Sequence, residues 1–176
     1  EATYTITDGN GGTDTAKLIL GPDIIDVNDP PDAVNDENNQ VFEDQQASGN
    51  VLVNDTDVDG DSLSVTGFSV DTDGDGVAEN FLPGQSATIA GVGTLVINLD
   101  GSYTFMPVKD YAGPVPLVTY SITDGNGGTD SATLSLGPVR PVDDSPRAVN
   151  DSAVTNEDTS VVIRVLDNDR DPDAGD

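Results

Sequence analysis

The sequence predicts an all-β fold, an antiparallel β-sandwich that recurs along the chain. Short runs of alternating apolar residues fill the sequence, and no long run has the 3.6-residue period of a helix. Turns rich in Gly and Asp separate these runs, which is typical of antiparallel hairpins. Long phrases also return almost unchanged, so the β fold is expected to be a repeating unit.

One repeat is expected to contain seven short strands. They are predicted at 40–42, 50–53, 63–70, 93–99, 102–106, 117–123 and 129–136. Asp100-Gly101 predicts a hairpin turn because Asp-Gly supplies the positive φ that a tight turn needs, and DGNGG at 124–128 joins the last two strands in the same way. Seven strands in about 110 residues are typical of a β-sandwich.

The repeating unit is a domain of about 115 residues. The phrase TYTITDGNGGTDTAKLILGP begins at residue 3, and TYSITDGNGGTDSATLSLGP begins at residue 119. We therefore expect an internal piece of a longer array. Its parts are the end of one repeat at 1–22, a linker at 23–31, a complete repeat at 32–138, a second linker at 139–146 and the start of another repeat at 147–176.

The charge of the chain restricts its partners. With 33 acidic and 6 basic residues, the formal net charge is −27, so no basic patch is available for nucleic acid and an anionic membrane surface repels the chain. No apolar run is long enough to insert into a membrane. The sequence has no Cys and no His, which removes thiolate nucleophiles, zinc–thiolate sites and the commonest general base. A divalent cation among the clustered acids would allow this chain to fold.

Four alternate acids before the strand at 63–70 predict a calcium site. They are Asp55, Asp57, Asp59 and Asp61. Calcium prefers carboxylate and carbonyl oxygens, Gly60 permits the bend, and carboxylates this close repel one another unless a cation lies among them. The alternative is a solvated acidic turn. The same pattern returns at Asp169, Asp171 and Asp173.

A second acidic loop follows the same strand. It has acids at its first, third, fifth and ninth positions, namely Asp71, Asp73, Asp75 and Glu79. This spacing, with Gly76 at the sixth position, matches the first part of an EF-hand-type loop. Leu82 stands at the twelfth position and cannot ligate, so a calcium loop without flanking helices is predicted rather than an EF-hand.

The linkers supply a third group of oxygen ligands. The candidates are Asp26, Asn28 and Asp29 in the first linker, and Asp143 and Asp144 in the second. Glu43 or Asp44 is expected to reach a junction from the adjacent repeat, and Glu157 and Asp158 are their copies. The alternative is an acidic flexible hinge. Asp124 and Asp130 are further candidates, although the Gly-rich hairpin explains them without a metal.

Several phrases resemble a known family. YSITDGNGGTDSATLSL, GTLVINLDGSYTFMP and AVNDENNQVFEDQQASGNVLVNDTDVDGDSLSV are similar to the tandem cadherin-like or bacterial Ig-like repeats, of the VCBS or tandem-95 type, of giant RTX-type surface adhesins. DVNDPP also resembles the cadherin DxNDN junction, which holds calcium, with Pro30 in place of the final Asn. The resemblance implies an Ig-like or cadherin-like sandwich, calcium-dependent rigidity, secretion and an extender role at the cell surface.

The expected function is therefore a non-catalytic spacer, stiffened by Ca²⁺, whose partners are neighbouring repeats of the same protein. One alternative is a subunit of an extracellular filament in which partial repeats exchange strands between molecules. Another is a ligand-binding adhesin domain. A glycosidase with a carboxylate pair is disfavoured, because the acids stand at repeat-equivalent loop positions and an array of identical active sites is rare.

Overall fold

In a computed structural model, which describes residues 1–19, 21 and 27–173, the chain folds as predicted into an all-β structure. The described residues form thirteen strands and no helix. The strands are β1 (Ala2–Thr7), β2 (Thr13–Leu18), β3 (Asp36–Glu37), β4 (Ala47–Asn50), β5 (Ser64–Val70), β6 (Glu79–Phe81), β7 (Ser86–Ile89), β8 (Gly93–Ile97), β9 (Ser102–Pro107), β10 (Gly113–Pro114), β11 (Val118–Thr123), β12 (Thr129–Ser135) and β13 (Pro138–Val139). Among these residues no helix could span a membrane.

Two sheets pack face to face to form a sandwich from β3 onward. One sheet has the order β3-β12-β11-β5-β6, and the other has the order β4-β9-β8-β7. All pairs are antiparallel except β3 with β12. The alternating residues of the inner faces build one core, whose fully buried large side chains include Leu95, Ile97, Phe105, Tyr120, Ile122 and Leu134.

Both predicted hairpin turns are present. Gly101 has a φ of 79° in the turn between β8 and β9, and Gly125 has a φ of 82° between β11 and β12. Both values lie in the left-handed region, which glycine enters without steric cost.

The structure corrects two strand predictions and adds strands that were not predicted. Residues 40–42 form only a single bridge, between Phe42 and Arg140, because a turn with positive φ at Asp44 follows at once. The strand predicted at 50–53 ends at Asn50, whose side chain accepts the N–H of Leu52 and turns the chain. Strands β3, β6, β7, β10 and β13 were not predicted.

The segments on either side of the sandwich are more exposed. Strands β1 and β2 form a hairpin whose residues are all exposed. Residues 147–173 contain no strand and pair through one bridge, between Arg147 and Arg170. This bridge repeats the one between Asp32 and Thr56 at the start of the sandwich.

Candidate metal centres

The loop after β4 gathers three carboxylates. One oxygen from each of Asp57, Asp59 and Asp61 lies within 4.8 Å of the others. Asp57 Oδ1 accepts the N–H groups of Asp59 (2.9 Å) and Asp61 (3.2 Å), and Gly60 supplies the turn with a φ of 79°. Asp57 Oδ2 is buried and has no hydrogen-bond donor in the described chain. A buried anionic oxygen without a donor is suited to a cation.

The first linker and the last hairpin meet this loop. Three hydrogen bonds of 2.7 Å join them: Asp29 N–H to Asp59 Oδ2, the Asn28 amide to Asp124 Oδ2, and the Asn126 amide to Asp61 Oδ2. Groups that the sequence presented as separate therefore share one end of the sandwich. We call Asn28, Asp29, Asp57, Asp59 and Asp61 the first junction cluster. Asp26 lies outside the described residues.

Asp124 holds the hairpin turn rather than joining the three converging carboxylates. Besides the Asn28 amide, its oxygens accept the backbone N–H groups of Asn126, Gly127 and Gly128. The Asn28 amide, followed by these N–H groups, holds the pKa of Asp124 below its usual range. Asp124 is thus ionised at neutral pH and ties the linker to the hairpin.

Asp55 and Asp130 are likewise not among the carboxylates that converge in the loop after β4. Asp55 Oδ1 accepts the N–H of Val34 (2.7 Å), and Asp130 Oδ2 accepts the N–H of Ala33 (2.8 Å). Burial raises the pKa of Asp55, whereas the N–H of Ala33 lowers the pKa of Asp130. Both carboxylates therefore fix the chain that enters the sandwich.

The hydroxyl of the buried Tyr120 joins a hydrogen-bond network that no pattern in the sequence indicated. The Tyr120 hydroxyl donates to Asp36 Oδ2 at 2.8 Å, and Asp55 Oδ1 lies 3.4 Å from the same hydroxyl. Burial raises the pKa of Asp36 and raises the pKa of Tyr120 far above its usual range. This network joins β11 to the chain that enters the sandwich. Its partners are far apart in the sequence, so no local pattern predicts it.

The loop between β5 and β6 brings together three acids of the second predicted site. One oxygen from each of Asp71, Asp73 and Asp75 lies within 4.8 Å of the others. Asp71 accepts the N–H groups of Gly74 (2.7 Å) and Gly76 (2.9 Å), and the Gly74 N–H is the main reason that the pKa of Asp71 is lowered.

Glu79 stands apart from these three carboxylates. Its Oε2 accepts the hydroxyl of Thr72 at 2.5 Å and the N–H of Thr72 at 2.8 Å. The hydroxyl is the first cause of the lowered pKa of Glu79. Glu79 therefore closes the base of the loop, where β6 begins.

The second linker lies among carboxylates from three parts of the chain. One oxygen from each of Glu43, Asp144 and Asp173 lies within 4.8 Å of the others, and the same holds for Asp44, Asp110 and Asp144. Asp144 belongs to both groups. We call these five residues the second junction cluster. Asp143 lines a cavity of about 460 Å³ beside Glu43 and Asp173.

Glu43 is the most deeply placed of these ligands. It is only 3% exposed, and among the described residues its carboxylate accepts one hydrogen bond, from the N–H of Val142 to Oε1 at 2.6 Å. Burial raises the pKa of Asp144, and the carboxylates of Asp44 and Asp110 raise it further. An all-carboxylate donor set with such repulsion fits a hard divalent cation, and calcium prefers this chemistry.

Asp110 is the member of this cluster that sequence reasoning missed. It follows β9 and has a φ of 58°, and its N–H donates to Asp44 Oδ1 at 3.1 Å. Asp44 has a nearly equal φ of 56°. A single Asp beside a Lys carries no local metal signature, so only the contact across 66 residues identifies it.

The acids at 169–173 repeat contacts that the loop at 54–61 makes. Asp169 Oδ1 accepts the N–H of Val149 (2.7 Å), and Asp171 Oδ1 accepts the N–H of Asp173 (3.0 Å). Glu157 and Asp158 are exposed and belong to no converging group within the described residues, although Asp158 keeps the φ of 56° seen at Asp44.

Comparison with known families gives one match. A family model described as bacterial Ig domain matches residues 28–137, which include the whole first junction cluster and the sandwich strands up to β12. No curated protein matches the chain.

Proposed function

The chain belongs to the bacterial Ig domain family, and on this premise we propose that it is a calcium-stabilised structural repeat, an extender, of a large extracellular surface adhesin. Domains of this family are typically non-catalytic and often occur in surface proteins. The RTX type of adhesin and the repeat limits 32–138 and 147–176 are part of this proposal.

One observation carries the proposal: the second junction cluster draws on three successive segments. Glu43 belongs to the sandwich, Asp144 to the linker and Asp173 to the segment that follows. A Ca²⁺ ion held by these three carboxylates would connect one repeat to the next. It would replace repulsion between like charges with attraction to a shared cation, and would thereby stiffen the linker.

The first junction cluster contains a hydrogen bond equivalent to one in the second junction cluster. The N–H of Asp29 donates to Asp59 Oδ2 at 2.7 Å, and the N–H of Asp144 donates to Asp173 Oδ2 at the same distance. Every repeat would then offer one cluster to the repeat before it and another to the repeat after it. The loop with Asp71, Asp73 and Asp75 would hold a further ion within the repeat.

Calcium titration by calorimetry, with thermal unfolding in calcium and in EDTA, tests the proposal. Extracellular calcium modules bind with Kd values of about 10⁻⁴–10⁻³ M. At calcium of about 100 times Kd, each site stabilises the fold by about 2.7 kcal/mol. We expect a large fall in Tm in EDTA. Equal Tm values in calcium and in EDTA would contradict the proposal.

Substitutions assign the ions to the clusters. Asp144→Asn removes the ligand shared by both groups of the second junction cluster. Asp57→Asn removes a ligand of the first junction cluster. Each is expected to reduce the bound calcium. Asp167→Asn is the charge-matched control, because Asp167 is exposed and belongs to no converging group among the described residues. Equal losses in all three variants would indicate nonspecific counterion binding.

Self-association is a second candidate function, favoured by the exposed apolar residues of the β1–β2 hairpin. Tyr4, Ile6 and Leu18 are all more than half exposed. A second molecule could cover them with the apolar side chains of its own segment 161–166, which is apolar except for Arg164. Sedimentation in calcium over a hundredfold range of protein concentration tests this function. A mass that stays that of a monomer would exclude the filament.

A further inference from the structure

Within the described residues, one basic side chain is ion-paired with the second junction cluster. Two ion pairs occur within the described residues: Lys17 with Glu1, and Lys109 with Asp110. The first lies on the β1–β2 hairpin, away from every candidate metal group. The second places the ammonium Nζ of Lys109 at 2.5 Å from Asp110 Oδ1. Lys109 is therefore a cation already attached to one of the two converging carboxylate groups.

Lys109 partly neutralises the group formed by Asp44, Asp110 and Asp144. The hydrogen bond from Lys109 to Asp110 raises the pKa of the lysine, and the carboxylates of Asp44 and Asp144 raise it further. In turn the ammonium lowers the pKa of Asp144, against the repulsion from Asp44 and Asp110. The lysine thus offsets part of the repulsion that a calcium ion would remove.

The lysine is also free to leave. Its side chain is 73% exposed, so it can move into solvent without breaking packing contacts. The group formed by Glu43, Asp144 and Asp173 has no basic side chain in contact within the described residues. The two groups share Asp144, and within the described residues only the Asp44–Asp110–Asp144 group faces a competing cation.

We propose that Lys109 competes with calcium for the Asp44–Asp110–Asp144 group and so sets the calcium concentration at which the junction becomes fully loaded. This proposal rests on the proposed calcium function. The group around Glu43 fills first, since no lysine must leave. The group around Asp110 fills second, when calcium displaces the ammonium from Asp110 Oδ1. The junction then stiffens in two steps rather than in one.

Calorimetry on the full chain with Ca²⁺ tests the proposal through Lys109→Met, which keeps the length of the side chain and removes its charge. Because the ion pair is exposed, the Kd of the weaker junction step is expected to fall only about two- to fivefold. Lys109→Arg keeps the charge, so its Kd for the weaker step should stay near that of the parent chain. Lys17→Met is the matched control, because it breaks the other ion pair, and should leave calcium binding unchanged.

Thermal unfolding adds a readout that a merely structural lysine would not give. In EDTA, Lys109→Met should lower Tm, because the carboxylates lose their cation. In saturating calcium, the Tm of Lys109→Met should equal or exceed the Tm of the parent chain. A parent chain without calcium binding would overturn both this proposal and the proposed function. Normal binding by the parent with an unchanged Kd in Lys109→Met would overturn the role of Lys109 alone.

Discussion

The hairpins β1–β2 and β11–β12 have nearly the same sequence and the same register, yet their environments are opposite. Ala2 pairs with Leu18 as Val118 pairs with Leu134, and each ladder ends in the same DGNGG turn. Tyr4 is 54% exposed and Ile6 61% exposed, whereas Tyr120 and Ile122 are fully buried. The local sequence thus determines the hairpin, and the remaining strands of the repeat determine its burial.

The acidic loops show the same division between local and long-range contacts. The loop at 54–61 and its copy at 168–173 both fold around Asp side chains that accept nearby N–H groups. The matched contacts are Val34 to Asp55 and Val149 to Asp169, both 2.7 Å, and Asp59 to Asp57 and Asp173 to Asp171, at 2.9 and 3.0 Å. These contacts therefore form with or without a complete sandwich, whereas the amide contact from Asn126 to Asp61 requires the β11–β12 hairpin.

The largest difference between the hairpins is expected for truncation of their equivalent isoleucines. Ile122→Ala removes a buried side chain and leaves a cavity, so it should lower the free energy of unfolding by about 2–5 kcal/mol. Ile6→Ala removes an exposed side chain and should change it by less than about 0.5 kcal/mol. Urea unfolding of both variants in calcium measures these values. Similar losses would mean that the first hairpin packs against a core in solution.

A smaller difference is expected for the equivalent tyrosines. Tyr120→Phe leaves the half-buried carboxylate of Asp36 without its hydroxyl donor, and should cost about 1–3 kcal/mol of unfolding free energy at pH 7. Tyr4→Phe should have almost no effect, since Tyr4 is half exposed and its hydroxyl has no partner among the described residues.

The loss of unfolding free energy in Tyr120→Phe should increase with pH. Burial holds the pKa of Asp36 above its ordinary value of 3.8. The contribution of Asp36 to stability is therefore full below 3.8 and is lost as the pH rises through its folded pKa. Loss of the tyrosine donor raises that pKa further, so the penalty should be larger at pH 7 than at pH 4. Urea unfolding at the two pH values checks this, and a penalty independent of pH would exclude Asp36 as the partner.

The sequence could predict the features that depend on neighbouring residues. The all-β class, the turn at Gly101 and the hairpin turn at Gly125 follow from alternation and from Asp-Gly chemistry. The loops with Asp57 and Asp71 follow from alternate acids. Their carboxylates do converge, although which ions they hold stays a prediction.

Features that depend on distant residues could not be predicted in this way. The Asn28–Asp124 hydrogen bond spans 96 residues, and Asp110 meets Asp44 across 66 residues. No periodicity or spacing encodes such contacts, because they arise only when the two sheets pack. Strand β6 was missed for a related reason: its three residues are too few to show alternation, and pairing with β5 defines it.

The smallest effect is expected at the first glycine of each DGNGG turn. It tests whether the local sequence determines both hairpins. Gly125 and Gly9 have φ values of 82° and 76°, and an added Cβ would meet no atom within 4 Å at either position. Alanine should therefore carry only the backbone cost of the left-handed region, about 1 kcal/mol. In Gly125→Ala this cost should lower the stability of the whole repeat, because β11 and β12 belong to the sandwich. In Gly9→Ala it should weaken the NMR contacts between Tyr4 and Ala16, which pair across the first hairpin, and leave the Tm unchanged. A fall in Tm for both variants would mean that the two hairpins belong to one cooperative unit.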